Sequence, residues 1–360
     1  MRLLICAGGT GGGVYPALAV HSALTSKVTD VDTLWVGAEG GMEESLVKRQ
    51  GIAFQSIPAA GVHGVGLITM PRNLTMLGRG VLAARRILGE FKPDALFFTG
   101  GYVAVPVALA GSSIPTLLYV PDIEPGMALK SLARFADVIA VTTDQSQKFF
   151  KKKVLETGYP LRPDLPFWDR QTATQHLGVS GRNPVLLVFG GSKGSHSINL
   201  AVVNNLRILL ARFEIIHLSG DLDWQTVKQA REQLPMDLAA RYHAMPYLHE
   251  MGAALGAADL AVSRAGASSL GEFPLFGLPA VLVPYPHAWR YQKVNADYLT
   301  RRGAAVILED HRLNDDLVST LNVLMQNPNK LRAMRAAMFE LSHPRAAEKI
   351  ASALIELAGE

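Results

Sequence analysis

Short apolar runs alternate along the chain with longer stretches whose apolar positions recur at helical spacing. In the first half, residues 2–7, 33–37, 53–57, 95–101, 116–120, 137–142 and 154–158 read as strands, and segments such as 42–49 and 76–91 read as helices. The run GYPLRPD at 158–164 breaks this rhythm with glycine and prolines and is read as a hinge. A second strand series follows at 184–195, 213–220, 241–248, 259–267, 279–286 and 304–310, with a helical tail from Asn314. Regular alternation of strand and helix predicts an α/β protein of two Rossmann-like, doubly wound domains, residues 1–158 and 159–342. Their similar sheets are expected to face each other and to hold a ligand in the cleft between them. Residues 343–360 are expected to pack back on the first domain.

Composition narrows the function classes. With 360 residues, 49% of them hydrophobic and 18% charged, the chain has enough apolar material for two cores. A net charge of +4 favours anionic partners such as phosphates or an acidic membrane surface, while the lack of a basic-aromatic block argues against nucleic acid. The single cysteine, Cys6, excludes an internal disulfide framework and suits a reducing cytoplasm. The chain runs straight into its first strand with no signal-peptide pattern. Residues 95–120 carry no charge, but Gly100, Gly101, Pro106, Gly111 and Pro115 interrupt them where a strand-helix-strand unit would turn, so a buried sheet unit is expected rather than a membrane span.

Two glycine loops stand between a strand and a helix. The first, Gly8 to Gly13, precedes Pro16 in what reads as the first turn of a helix. It fits neither G-x-G-x-x-G in any frame nor a P-loop, which disfavours a dinucleotide dehydrogenase. The second is Gly190-Gly191-Ser192-Lys193-Gly194-Ser195. The pair Asp221 and Asp223 is too common a pattern to imply a metal, and the histidines show no metal-ligand spacing.

Residues 261–295 form the most informative stretch: a strand, a turn of small residues at 263–269, a helix bearing Glu272, a second strand, then a polar segment with Gln292 and Asn295. Such a turn opening a helix presents backbone N–H groups to a phosphate, and Glu272 about one turn later is placed for sugar hydroxyls.

Taken together, GGTGGGVYPALA at 8–19, KPDALFFTGGYVAVPVALA at 92–110, GYPLRPD at 158–164, GGSKGS with Asn199, and SRAGASSLGE with PHAWRYQKVNA resemble the MurG family. Its members are inverting glycosyltransferases that add N-acetylglucosamine to an undecaprenyl-linked muramoyl-peptide precursor of peptidoglycan. The resemblance spans nearly the whole chain and implies a GT-B fold with UDP-N-acetylglucosamine (UDP-GlcNAc) held by the C-terminal half. It implies that Thr10, Arg162 and Ser192 serve the donor, with Arg162 and Ser192 on its diphosphate. It further implies that the Leu248 backbone reads uracil, Ala267 and Ser269 contact phosphate and sugar, Glu272 holds the ribose, and Gln292 and Asn295 face the hexose. Gly11, Gly12, Gly13, Tyr102 and Asn199 fall with the acceptor-side loops.

The N-terminal half departs from the family pattern. Gly13 stands where a histidine is usual, Val120-Pro121-Asp122 where Glu-Gln-Asn is usual, and His63 and Val65 where a basic pair is usual. These changes leave open a different acceptor, a weakened or inactive relative, or an introduced glycine. The catalytic base is then expected to be Asp122, with Glu124 and His63 in reserve. No metal or other cofactor is expected, because Arg162 and oriented N–H groups can stabilise the leaving diphosphate. The expected partners are UDP-GlcNAc, a polyprenyl-linked acceptor and an anionic membrane surface. The chain is expected on the inner face of the plasma membrane, through residues 65–86, where Leu67, Ile68, Met70, Leu74, Met76 and Leu77 mix with Arg72, Arg79, Arg85 and Arg86.

Overall fold

The computed structural model describes residues 1–8, 11–41, 43–59, 70–286 and 291–359. Contacts divide the chain into two compact units, Met1–Arg162 with Pro344–Glu360, and Pro163–His343.

The first unit is built on a seven-stranded parallel sheet: β1 (Arg2–Cys6), β2 (Asp32–Ala38), β3 (Ala53–Ile57), β4 (Ala95–Phe98), β5 (Thr116–Val120), β6 (Val138–Val141) and β7 (Val154–Glu156). Its spatial order is β3-β2-β1-β4-β5-β6-β7. Helices cover both faces, so the central strands are apolar on both sides: every residue of β4 and β5 is buried. The charge-free run 95–120 is therefore two core strands with the short helix Ala104–Ala110 between them. Among the described residues no helix is long and apolar enough to cross a membrane.

The final helix, Ala346–Ala358, returns to this sheet. Ile350, Ala351 and Leu354 lie fully buried in one cluster with Leu3, Ile5, Trp35 and Tyr119. Each large aliphatic side chain buried there contributes roughly 1.5–3 kcal/mol. Lys27 Nζ also donates to Ser352 Oγ at 2.7 Å.

The second unit repeats the plan with six parallel strands: β8 (Val185–Phe189), β9 (Glu214–Leu218), β10 (Tyr242–Met245), β11 (Leu260–Ser263), β12 (Ala280–Leu282) and β13 (Ala305–Ile307). The order is β10-β9-β8-β11-β12-β13. In both sheets the strand order reverses beside the first strand, between β1 and β4 and between β8 and β11. Loops leaving the C-terminal ends of those paired strands turn to opposite faces and open a crevice, the general ligand position in such sheets.

Candidate active site

In the second unit the crevice is bounded by the loop after β8 and the turn after β11. The β8 loop is shaped by glycine. At Gly194 φ is +76°, and a Cβ there would lie 1.9 Å from the Ser219 carbonyl oxygen, so only glycine lets the loop rest on the end of β9. Ser192 at the loop's tip is exposed.

The helix His196–Asn204 follows directly, and its first turn is tied to the β9 side. His196 Nδ1 meets Asp223 Oδ1 at 2.7 Å, and Asn199 Nδ2 donates to Ser219 O and to Asp223 Oδ2, both at 2.8 Å. With its amide donors spent, Asn199 uses Oδ1 to accept from His217 Nε2 at 2.9 Å. His217 Nδ1 must then accept from the Tyr242 hydroxyl, 2.6 Å away. A ring with one donating and one accepting nitrogen is neutral. Burial enforces that state: it lowers the pKa of His217 to about 3, against a smaller upward effect of Asp223. Asn199, expected with the acceptor-side loops, is instead a buried helix residue of the second unit that supports the β8 loop from below.

The turn after β11 is equally constrained. Ser269 Oγ donates to Gly266 O at 2.6 Å, and Ala267 and Ser269 are buried in the short 3-10 turn Ala267–Leu270. Glu272 opens the helix Glu272–Phe276 and is half-buried. Asn295, on the helix Tyr291–Arg301, is fully buried and donates to Ala265 O at 3.1 Å, so its side-chain amide props the turn. Gln292 Oε1 accepts from Tyr285 N at 2.9 Å. Leu248 lies half-buried just beyond β10. The expected donor residues Ser192, Leu248, Ala267, Ser269, Glu272, Gln292 and Asn295 all stand beyond the C-terminal ends of strands of this one sheet.

One residue absent from those expectations is Arg264, the first past β11. Its guanidinium is tied to Ser197, Val283 and Asp310 and lies over the Tyr285 ring. A charged residue directly after a buried strand, in a stretch of small side chains, was the available signal.

In the first unit the corresponding crevice lies between β1 and β4. The helix Gly11–Thr25 begins at Gly11, and Thr99 Oγ1 donates to the Gly13 carbonyl at 2.7 Å. A Cβ at Gly13 would find Thr99 Oγ1 at 3.4 Å and the Gly8 carbonyl oxygen at 3.7 Å, ordinary contacts, so a Cβ is sterically admissible there. Gly100 and Gly101 have φ of +125° and +89°, and Gly101 packs against the Gly8 backbone. Tyr102 beside them is exposed. Glu43, which the sequence reading passed over, is buried, accepts from Ala38 N at 3.0 Å and lies against Gly8.

After β5, Thr142 Oγ1 donates to Pro121 O at 2.7 Å and Ser146 Oγ to Ile123 O at 2.8 Å, fixing the loop that carries Asp122 and Glu124. Asp122 is half-buried and Glu124 buried. The Tyr119 hydroxyl is pushed well above its ordinary pKa by burial, with the charge of Asp122 acting in the same direction. Arg162 closes this unit with its guanidinium 5.5 Å from the centre of the Tyr15 ring. Thr10 and His63 lie outside the described residues. Asp223 is engaged by His196 and Asn199, and no group of three or more potential metal ligands occurs among the described residues.

Family models match both halves of the chain: the glycosyltransferase family 28 N-terminal domain over residues 3–141 and the family 28 C-terminal domain over residues 185–350. A protein of Roseiflexus sp. (strain RS-1), named UDP-N-acetylglucosamine--N-acetylmuramyl-(pentapeptide) pyrophosphoryl-undecaprenol N-acetylglucosamine transferase, is 40% identical over 98% of this chain and 94% of its own. A protein of the same name from Desulforudis audaxviator (strain MP104C) is 37% identical over 100% of this chain and 99% of its own. The crystal structure of Acinetobacter baumannii MurG matches with a TM-score of 0.79 at 27% identity, covering 99% of each chain. The chain belongs to the MurG family of glycosyltransferases. Its two Rossmann-like sheets are accordingly those of the GT-B class.

The buried histidine beneath the family's second glycine loop has a measurable consequence. His217 binds no proton in the fold until about pH 3, whereas in the unfolded chain it protonates near 6.5. Between those values the unfolded state holds the extra proton, so this contribution to stability is complete above the unfolded pKa and declines as pH falls through the window. Its slope is about 1.4 kcal/mol per pH unit. Urea denaturation is expected to show a loss of stability between about pH 7 and about pH 5 that His217→Gln reduces by about 2 kcal/mol. Equal slopes in the two proteins would show that His217 is not held neutral.

Proposed function

We propose that this protein transfers N-acetylglucosamine from UDP-GlcNAc to a polyprenyl-diphosphate-linked muramoyl-peptide, with inversion at the anomeric carbon. The observation that carries the reading is the 40% identity, over 98% of the chain, to a transferase named for that donor and acceptor. The grouping of donor residues at one set of strand ends supports it.

In this reading the first-turn N–H groups of His196–Asn204 and the Ala267–Ser269 turn, with Ser192 and Arg162, bind the diphosphate, the Ser269 N–H itself being taken by Gly266 O at 3.0 Å. Glu272 accepts from the ribose hydroxyls, the Leu248 backbone meets uracil, and Gln292 with Asn295 faces the sugar. The acceptor hydroxyl attacks the anomeric carbon while the bond to the β-phosphate oxygen breaks and its electron pair leaves with UDP. Asp122 takes the hydroxyl proton. Charge on the departing diphosphate is met by fixed dipoles and Arg162, the role a divalent metal would otherwise fill, and the reaction proceeds without one. UDP release from UDP-GlcNAc with a muramoyl-lipid acceptor tests this. Glu272→Ala is expected to raise the KM for donor, and Asp122→Asn to lower kcat by about 100-fold or more at little cost in UDP binding. Unchanged turnover in Asp122→Asn would remove it as the base.

Gly13 favours a second reading, a transferase with another acceptor or a weakened nucleotide-sugar-binding relative. Because a Cβ is admissible at this position, Gly13→His is a fair test. A gain of about tenfold or more in turnover on the muramoyl-lipid would mark the missing imidazole as the defect. No gain, together with UDP-GlcNAc binding and no turnover of any lipid acceptor, would favour the binding-protein reading.

The site of action is proposed to be the cytoplasmic face of an anionic membrane, with residues 65–86 as the peripheral contact; 65–69 lie outside the described residues, and 70–86 belong to the helix Met70–Phe91. Ala84, Ile87 and Leu88 bury its inner face against the unit's own core, while Arg72, Arg79, Arg85, Arg86 and Leu82 are exposed. Flotation with anionic vesicles is expected to carry the protein upward at low salt and to fail for Arg79→Glu/Arg85→Glu. Equal flotation of both proteins would place the contact elsewhere.

A further inference from the structure

Arg264 brings a charge into the second unit at the point where its strand order reverses. Its side chain is only 10% exposed and that of its partner Asp310 22%. Nη1 lies 2.5 Å from Asp310 Oδ1 and donates to the Val283 carbonyl at 3.1 Å, while Nη2 donates to Ser197 Oγ at 2.8 Å. Ser197 Oγ in turn donates to Asp310 Oδ1 at 2.7 Å, closing a ring of three side chains. The Tyr285 ring covers the guanidinium, 5.1 Å from its carbon to the ring centre.

These partners stand at the ends of different strands. Arg264 follows β11, Val283 follows β12, Asp310 follows β13, and Ser197 is in the first turn of the helix that follows β8. A single planar cation therefore ties three strand ends to the helix on the far side of the crevice. Desolvating such a pair rarely stabilises a fold more than apolar packing of the same volume would. What the pair adds is position, since a guanidinium satisfies several acceptors only in one arrangement.

The same helical turn is held on its other flank by His196 and Asn199, through Asp223 and Ser219. Between the two sets of ties lie the N–H groups of His196, Ser197 and Ile198, which precede the first in-helix donor, Asn199 N to Ser195 O at 2.9 Å.

We infer that Arg264, fixed by Asp310, is a positioning residue that sets the first turn of His196–Asn204 against the Ala265–Ser269 turn, so that both sets of backbone donors converge on one diphosphate. The inference rests on the donor reading proposed above and concerns the rigidity of that site. Arg264 works through Ser197 and the strand ends.

The test uses the full-length protein with Arg264→Ala, Arg264→Lys and Asp310→Asn, followed by calorimetric titration with UDP and by amide hydrogen exchange. Arg264→Ala is expected to weaken UDP binding about 10- to 100-fold and to speed exchange across residues 191–199, with β9 and its following helix unchanged. Arg264→Lys recovers little of this, because an ammonium cannot span the three acceptors in one plane. Guanidinium ion added at millimolar concentration restores part of the affinity of Arg264→Ala and leaves the wild type unaffected. The double variant Arg264→Ala/Asp310→Asn behaves as Arg264→Ala alone.

A folded Arg264→Ala protein that binds UDP within about twofold of the wild type and shows unaltered exchange at 191–199 overturns the inference. If Arg264→Ala fails to fold, Arg264→Lys and Asp310→Asn decide it by the same two measurements. If the wild type itself binds no UDP, the donor reading fails, and the exchange pattern alone decides whether Arg264 orders the turn.

Discussion

A parallel strand covered by helices on both faces has no free side along its length. β4, β5, β9 and β11 are buried at every residue, and a ligand can reach such strands only at their ends. Chemistry is confined to the loops at the C-terminal ends, and because the strand order reverses beside β1 and beside β8, two of those loops diverge in each sheet and leave room between them. Asn199, Arg264, Asn295, Gly194 and Gly101 each shape one of those loops.

The two units meet that constraint with different materials. In the second, side chains brace the loops: Asn295 holds Ala265, Asn199 holds Ser219, and Arg264 joins Ser197 to Asp310. Each brace is a buried polar group whose partners are supplied by another element, so removing one strands the other and costs more than the bond is worth. In the first unit Gly101 rests on the Gly8 backbone, and the Thr99, Thr142 and Ser146 hydroxyls hold the Gly13, Pro121 and Ile123 carbonyls.

How far the fold was legible follows from that division. The strands appeared in the sequence because double burial writes them as apolar runs, and glycine or proline marks where they stop, as at Gly100 and Pro115 around β4 and β5. Gly194 and Gly101 were visible as glycine loops because their backbone angles demand it. The braces were not legible. Asn199 finds its partners 18 to 24 residues away and Arg264 finds Ser197 67 residues away, so no local pattern carries the pairing. The bond of Asn295 to the Ala265 carbonyl was equally illegible, because its partner lies 30 residues away.

The cost of a substitution differs between these positions. A change at Arg264 or Asn199 would strand a buried partner and disturb several strand ends at once, whereas Gly13 contributes a carbonyl to Thr99 that any residue supplies equally. A Cβ there would make ordinary contacts of 3.4–3.7 Å with Thr99 and Gly8, and the intrinsic helix propensities of glycine and histidine differ by about 1 kcal/mol or less. The loop after β5 is fixed through the Pro121 and Ile123 carbonyls, again groups independent of side-chain identity. A residue that offers only its carbonyl to such a bond can change its side chain and keep the bond, whereas one that offers its side chain cannot.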